Sequence, residues 1–177
     1  MLFVLTGPES TAKSALTIAL AEHFKLPAVN EVARDYLTSS TLTTSTGGTS
    51  YLPSDLLAIA RRQMSAESEL KSSAFADTDL QVVYLWWQQR FGPVPDFLAA
   101  AYAGQSTRYY LLCEPDIAWQ ADPLRENPHD REQLFALYEA DLRARGLRYS
   151  RISGQGDERL SCAQRAVLSV DSALEVC

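Results

Sequence analysis

No apolar run in this sequence approaches the ~18 residues that a membrane-crossing helix needs. The apolar start, Met1 to Leu5, is far too short for a signal sequence and lacks its basic beginning. The first strand is expected to lie there, leaving no room for an N-terminal domain. Positive charge is also in short supply. Lys and Arg number 16 against 22 Asp and Glu, a net charge of −6. A general nucleic-acid binder needs a basic surface, so that class is excluded, and neither nucleic acid nor membrane is an expected partner. A local basic pocket for a nucleotide remains compatible. Cysteine is scarce: Cys113, Cys162 and Cys177 are odd in number, far apart and without metal-ligand spacing. They read as reduced thiols in a cytoplasmic protein. The two histidines, His23 and His129, read as structural or solvated. An Asn-Lys-x-Asp guanine motif is missing, which argues against a GTPase, and there is no internal repeat.

What is present fits one domain over residues 1–177, long enough to bury a core without staples. Leu2 to Leu5 reads as a buried strand stopped by Thr6-Gly7-Pro8. Leu16, Ala19, Leu20 and Phe24 then fall on one helical face, and Pro27 forbids extension. A second strand is expected over Ala28 to Val32 and a helix over Arg34 to Leu37. Residues 38–50 are nearly all Ser, Thr and Gly and read as a mobile loop. Ser54 is the expected N-cap of a helix reaching about Leu70. A short strand, Ala74 to Ala76, leads into Asp77-Thr78-Asp79, and a helix follows from Leu80 to Phe91. Another short helix follows Gly92-Pro93. Tyr109 to Cys113 is a strand, and residues 116–130 are a loop or short lid. An amphipathic helix marked by Leu134, Leu137, Tyr138 and Leu142 stops at Gly146. Leu147 to Ile152 is the last strand, and Leu160 to Leu174 the closing helix. Strands alternating with helices predict an α/β three-layer sandwich with a mostly parallel sheet.

The strongest motif is Gly7-Pro8-Glu9-Ser10-Thr11-Ala12-Lys13-Ser14, between the first strand and first helix. It matches G-x-x-x-x-G-K-[ST] except at Ala12. Backbone N–H groups of the segment Gly7 to Ala15, all but Pro8, lie at a helix N-terminus and suit phosphate. Lys13 is placed on the β/γ-phosphates of ATP, and Ser14 on Mg²⁺. Ala12 costs about 1 kcal/mol if the backbone there needs positive φ.

Together with Glu31-Val32-Ala33-Arg34, Asp77-Thr78-Asp79, Trp119 to Arg125 and Ile152-Ser153-Gly154, this motif resembles the ribosylnicotinamide kinase domain of NadR and its stand-alone AAA-type relatives. The resemblance covers nearly the whole chain. It implies a P-loop NTPase fold like that of nucleoside kinases, with a short lid. It implies phosphoryl transfer from ATP to a nucleoside-like hydroxyl, such as that of nicotinamide riboside. The family usually has Gly at position 12 and Tyr at position 32, where this chain has Ala12 and Val32. The adenylyltransferase and DNA-binding domains of NadR have no counterpart in these motifs.

Asp77 is the candidate Walker-B carboxylate for the Mg²⁺ water shell. Asp79, two residues on, points the same way if the chain stays extended, and is a candidate for holding the acceptor or taking its proton. By resemblance Glu31 is the other candidate base, and the sequence does not choose between them. Arg34 is a candidate for holding acceptor or phosphate. Arg125 and Arg131 fall in the lid, where arginines stabilise charge on a transferring phosphoryl group. The resemblance also puts Trp119 with the substrate, and the loop at Gly154 near the adenine. Trp86 and Trp87 point about 100° apart on a helix, so at most one faces a given pocket. Two other functions compete: a nucleotide-binding switch with a protein partner, and a nucleoside-monophosphate kinase using Arg34, Arg61 and Arg62.

Overall fold

A computed structural model describes residues 1–39, 51–105, 107–122, 125 and 129–174. The expected mobile loop at 40–50, much of the lid (123, 124, 126–128) and Cys177 lie outside the described residues.

Five parallel strands form one sheet in the order β2-β3-β1-β4-β5. These are β1 (Leu2–Thr6), β2 (Ala28–Val29), β3 (Ala74–Asp77), β4 (Arg108–Cys113) and β5 (Tyr149–Ile152). The helices are α1 (Lys13–Phe24), α2 (Val32–Ser39), α3 (Pro53–Ser68), α4 (Leu80–Phe91), α5 (Asp96–Ala103), α6 (Arg131–Ala144) and α7 (Asp157–Leu168). Alternating side chains of β1 split between the two faces. Phe3 and Leu5 pack with Leu16 and Leu20 of α1 and Val167 of α7. Val4 packs on the other face with Leu85 of α4 and Leu142 of α6. Helices thus cover both faces, which gives the three-layer sandwich.

Several local readings need correction. The second strand is only Ala28–Val29, and Val32 already opens α2. Thr38 and Ser39 finish α2 rather than begin a loop. Ser54 does not cap α3. Leu52 does, its N–H donating to Asp55 Oδ2 at 2.7 Å, with Pro53 in the first turn. Pro53 lacks an N–H and has a φ already suited to a helix start, so it fixes the boundary. The closing helix ends at Leu168, and a 3₁₀ turn, Ser172–Leu174, follows.

From β1 the chain goes to the edge strand β2, returns through β3 beside β1, then crosses to β4 and β5 on the other side. The carboxyl end of β1 is therefore a topological switch point, where ligands of such sheets bind. The register sets Leu5 of β1 opposite Asp77 of β3, one level below the loop that starts at Gly7.

Candidate nucleotide and acceptor site

The Gly7–Ser14 loop wraps the amino end of α1. At Gly7, φ is 123°, and an added Cβ would lie 2.8 Å from the Cys113 carbonyl oxygen. No other residue fits there. At Ala12, φ is 61° and ψ is 24°, so the missing glycine is felt: the backbone is left-handed. Ala12→Gly is expected to raise stability by about 1 kcal/mol, measured by urea denaturation. A variant no more stable than the parent overturns this reading of the loop.

The Lys13 ammonium donates to the carbonyls of Gly7 (3.0 Å) and Pro8 (2.6 Å). An ammonium carries three N–H donors, so one remains for a phosphate oxygen. Asp77 is 2 % exposed, and its Oδ1 is buried without a hydrogen-bond partner. Burial raises its pKa, while neighbouring Ser14 and Lys13 oppose the rise. An orphaned carboxylate oxygen beside a hydroxyl suits a hydrated divalent cation. Magnesium keeps several waters and takes few protein ligands, so Asp77 and Ser14 fit it.

The chain then departs from extension. Thr78 has φ 72°, uncommon for a β-branched residue. Its N–H donates to the Leu5 carbonyl (3.0 Å), and its own carbonyl accepts from buried Gln63 (3.3 Å). This turn corrects the reading of Asp79. The two carboxylates do not point the same way. Asp79 is 1 % exposed and caps α4, accepting from the Gln81 N–H (2.9 Å) and the Tyr110 hydroxyl (2.8 Å). It does not line the cavity beside the loop, and its carboxylate is taken up by these contacts.

A cavity of roughly 590 Å³ opens between the loop and helices α2, α4 and α6. One end is the loop from Gly7 to Ala15. The other is walled by α4 residues Val82, Leu85, Trp86 and Gln89, which share a helical face. Tyr51 stacks on Trp86, with ring centroids 5.4 Å apart. Trp87 turns away into the core, its indole N–H donating to the Pro93 carbonyl. Glu31 lines the cavity just before α2, with Arg34 one turn on. Arg34 donates to Glu31 Oε2 (3.2 Å) and Asp122 Oδ2 (3.0 Å), tying the acceptor side to the lid.

The lid docks on one loop residue. Ser10 Oγ accepts from the Gln120 N–H (2.9 Å) and from Arg125 Nη1 (3.5 Å). The Ser10 carbonyl accepts from Arg131 Nη1 (3.1 Å), which also donates to the Ile117 carbonyl (2.9 Å). Arg125 lines the cavity, whereas Arg131 does not and serves to hold the lid on the loop. Trp119 is likewise off the cavity: its ring lies 5.8 Å from the Arg131 guanidinium, so it supports that clamp instead of touching substrate. Gly154 is displaced from its expected role as well. Its N–H is spent on Asp116 Oδ2 (2.7 Å) and its carbonyl accepts from Arg159 (2.8 Å), so it does not read a base. Arg159 also pairs with Asp116.

Sequence reasoning missed Tyr51, Ser10 as the lid dock, and Asp122. A signal existed for Tyr51, the first aromatic after the Ser/Thr segment. Arg61 and Arg62 lie over Phe97 and Tyr36 and do not line the cavity, so of the three arginines expected for a monophosphate acceptor only Arg34 faces it. Among the described residues no helix is long and apolar enough to cross a membrane.

A family model described as an AAA domain matches residues 2–159. None of the curated proteins compared matches the sequence. Among solved structures, a NadR protein in complex with NR superposes with TM-score 0.78 at 18 % identity, over 97 % of this chain and 51 % of that one. The chain thus spans about half the length of that NadR. YorR from Bacillus subtilis follows with TM-score 0.58 and 14 % identity over all of both chains. Thymidylate kinase from Ehrlichia chaffeensis has TM-score 0.58 and 12 % identity, over 96 % of this chain and 97 % of that one. At these identities the likeness shows the fold, that of P-loop kinases.

Proposed function

From the premise that this chain belongs to the AAA domain family, we propose that it is an ATP-dependent kinase that phosphorylates the hydroxyl of a nucleoside-like small molecule. The observation that carries this reading is one continuous cavity with a phosphate loop at one end and an aromatic wall at the other. A nucleotide switch needs only the first end. The second, with Glu31 at its edge, is built for another reactant.

The loop N–H groups and Lys13 hold the ATP phosphates. Asp77 and Ser14 would hold Mg²⁺, which would supply positive charge to the transferring phosphoryl group. Glu31 accepts the hydrogen bond of the acceptor hydroxyl and aligns its oxygen with the γ-phosphorus. Little base strength is needed, because phosphoryl transfer depends chiefly on positioning. Arg34 holds the Glu31 carboxylate in place. Arg125 adds positive charge from the lid, over the loop. The aromatic wall and the apolar lining exclude water from the transfer.

The test is ATP consumption and product formation against a nucleoside panel that includes nicotinamide riboside, with and without Mg²⁺. Phosphorylated product with at least one acceptor, lost on chelation, is the expected result. ATP binding without transfer to any acceptor overturns the kinase reading in favour of a nucleotide switch.

A further inference from the structure

Arg90 is the cavity cation that the proposed chemistry leaves unused. It sits near the carboxyl end of α4, ten residues beyond Leu80, so about 15 Å along the helix from the end beside Thr78. It therefore lines the end remote from the phosphate loop. Its guanidinium lies 5.8 Å from the Tyr51 ring centroid, against the Tyr51–Trp86 stack. The other cavity cations have work to do. Lys13 and Arg125 sit at the loop, and Arg34 pairs with Glu31 and Asp122. Among the described residues no carboxylate is within ion-pair distance of Arg90, and residues 40–50, just before Tyr51, contain no Asp or Glu.

We propose that Arg90 determines acceptor specificity: the site takes a nucleoside-like compound whose aromatic ring carries an acidic group. This rests on the kinase reading above. A ring set against Trp86 brings its substituent toward Arg90 and toward the amide of neighbouring Gln89. A guanidinium matches a carboxylate with two parallel N–H···O bonds.

The experiment is equilibrium binding by calorimetry, with a non-hydrolysable Mg·ATP analogue bound. Two matched pairs serve as probes: nicotinic acid riboside with nicotinamide riboside, and orotidine with uridine. The wild type is expected to bind the carboxylate member of at least one pair about tenfold more tightly, an effect that shrinks with added salt. Arg90→Gln should bring that pair within about twofold, and Arg90→Glu should reverse the preference. Equal affinities in the wild type, a preference that survives Arg90→Glu, or no binding of any probe overturns the proposal. Binding is read without turnover, so failure of the kinase reading shows separately, as absent product from every acceptor while the affinity ratios persist.

Discussion

Lys13→Ala is expected to lower kcat/KM for ATP-dependent transfer by about a thousandfold while leaving the fold intact. The ammonium is the loop's one side-chain cation, set between the Gly7 and Pro8 carbonyls and close to Asp77. Charge on the bridging and γ-phosphate oxygens grows as the transition state forms, so a fixed cation there contributes more to the transition state than to ground-state binding. Loss of kcat should therefore exceed loss of ATP affinity. Lys13→Arg should not restore the rate. A planar guanidinium cannot occupy the space of a compact ammonium between two carbonyls. Steady-state kinetics and thermal denaturation on the same samples separate the outcomes. An active Lys13→Ala enzyme would show that the loop does not bind the transferring phosphates.

The elements most legible in the sequence carry their own stop signals. Residues Leu80 to Phe91 are bounded by an Asp before and Gly92-Pro93 after, and α4 has those limits. The loop is legible because its residue types answer to phosphate chemistry, and Ala12, its anomaly, takes the left-handed conformation that a glycine there would suit. What stays hidden depends on single torsions and on distant partners. The spacing of Asp77 and Asp79 implies a shared direction only in an extended chain, and Thr78 breaks that extension. Nothing local announces that Gln63, fifteen residues away, will hold the Thr78 turn. Arg34 reads as a surface residue or a ligand-binder, but its partner Asp122 is 88 positions on. Trp119 and Arg131 are expected on substrate and phosphate because lid segments lie near both. Trp119 lies against Arg131, and Arg131 bonds the Ser10 carbonyl, so part of a lid serves to hold the rest.

The carboxylate misread as functional carries the second large effect. Asp79 lies beneath α4 with Arg108 Nε at 3.7 Å, and Arg108 Nη2 also meets Glu67 at 2.5 Å. One cation thus serves two carboxylates, all three side chains under 10 % exposed. Arg108→Met is expected to destabilise the protein by about 3–5 kcal/mol near pH 8, because it leaves two buried like charges without a counter-ion. That is a large part of the stability of an ordinary domain. The pH dependence identifies the cause. Burial, with Glu67 adding to it, already raises Asp79 from 3.8 to about 6, against the pull of Arg108. A carboxyl raised in the folded state binds its proton more tightly when folded. Its stabilising contribution is complete below pH 3.8 and is lost as pH rises through about 6. The loss amounts to about 3 kcal/mol over the whole titration, about half of it between pH 5 and 8, and Asp79→Asn should not show it. Removing Arg108 pushes the Asp79 carboxyl higher still, so the Arg108→Met penalty should shrink as pH falls toward 5 and the proton returns. Urea denaturation of the three proteins between pH 5 and 8 measures this. A penalty for Arg108→Met that is the same at both ends of that range would mean that Arg108 matters for its packing and not for its charge.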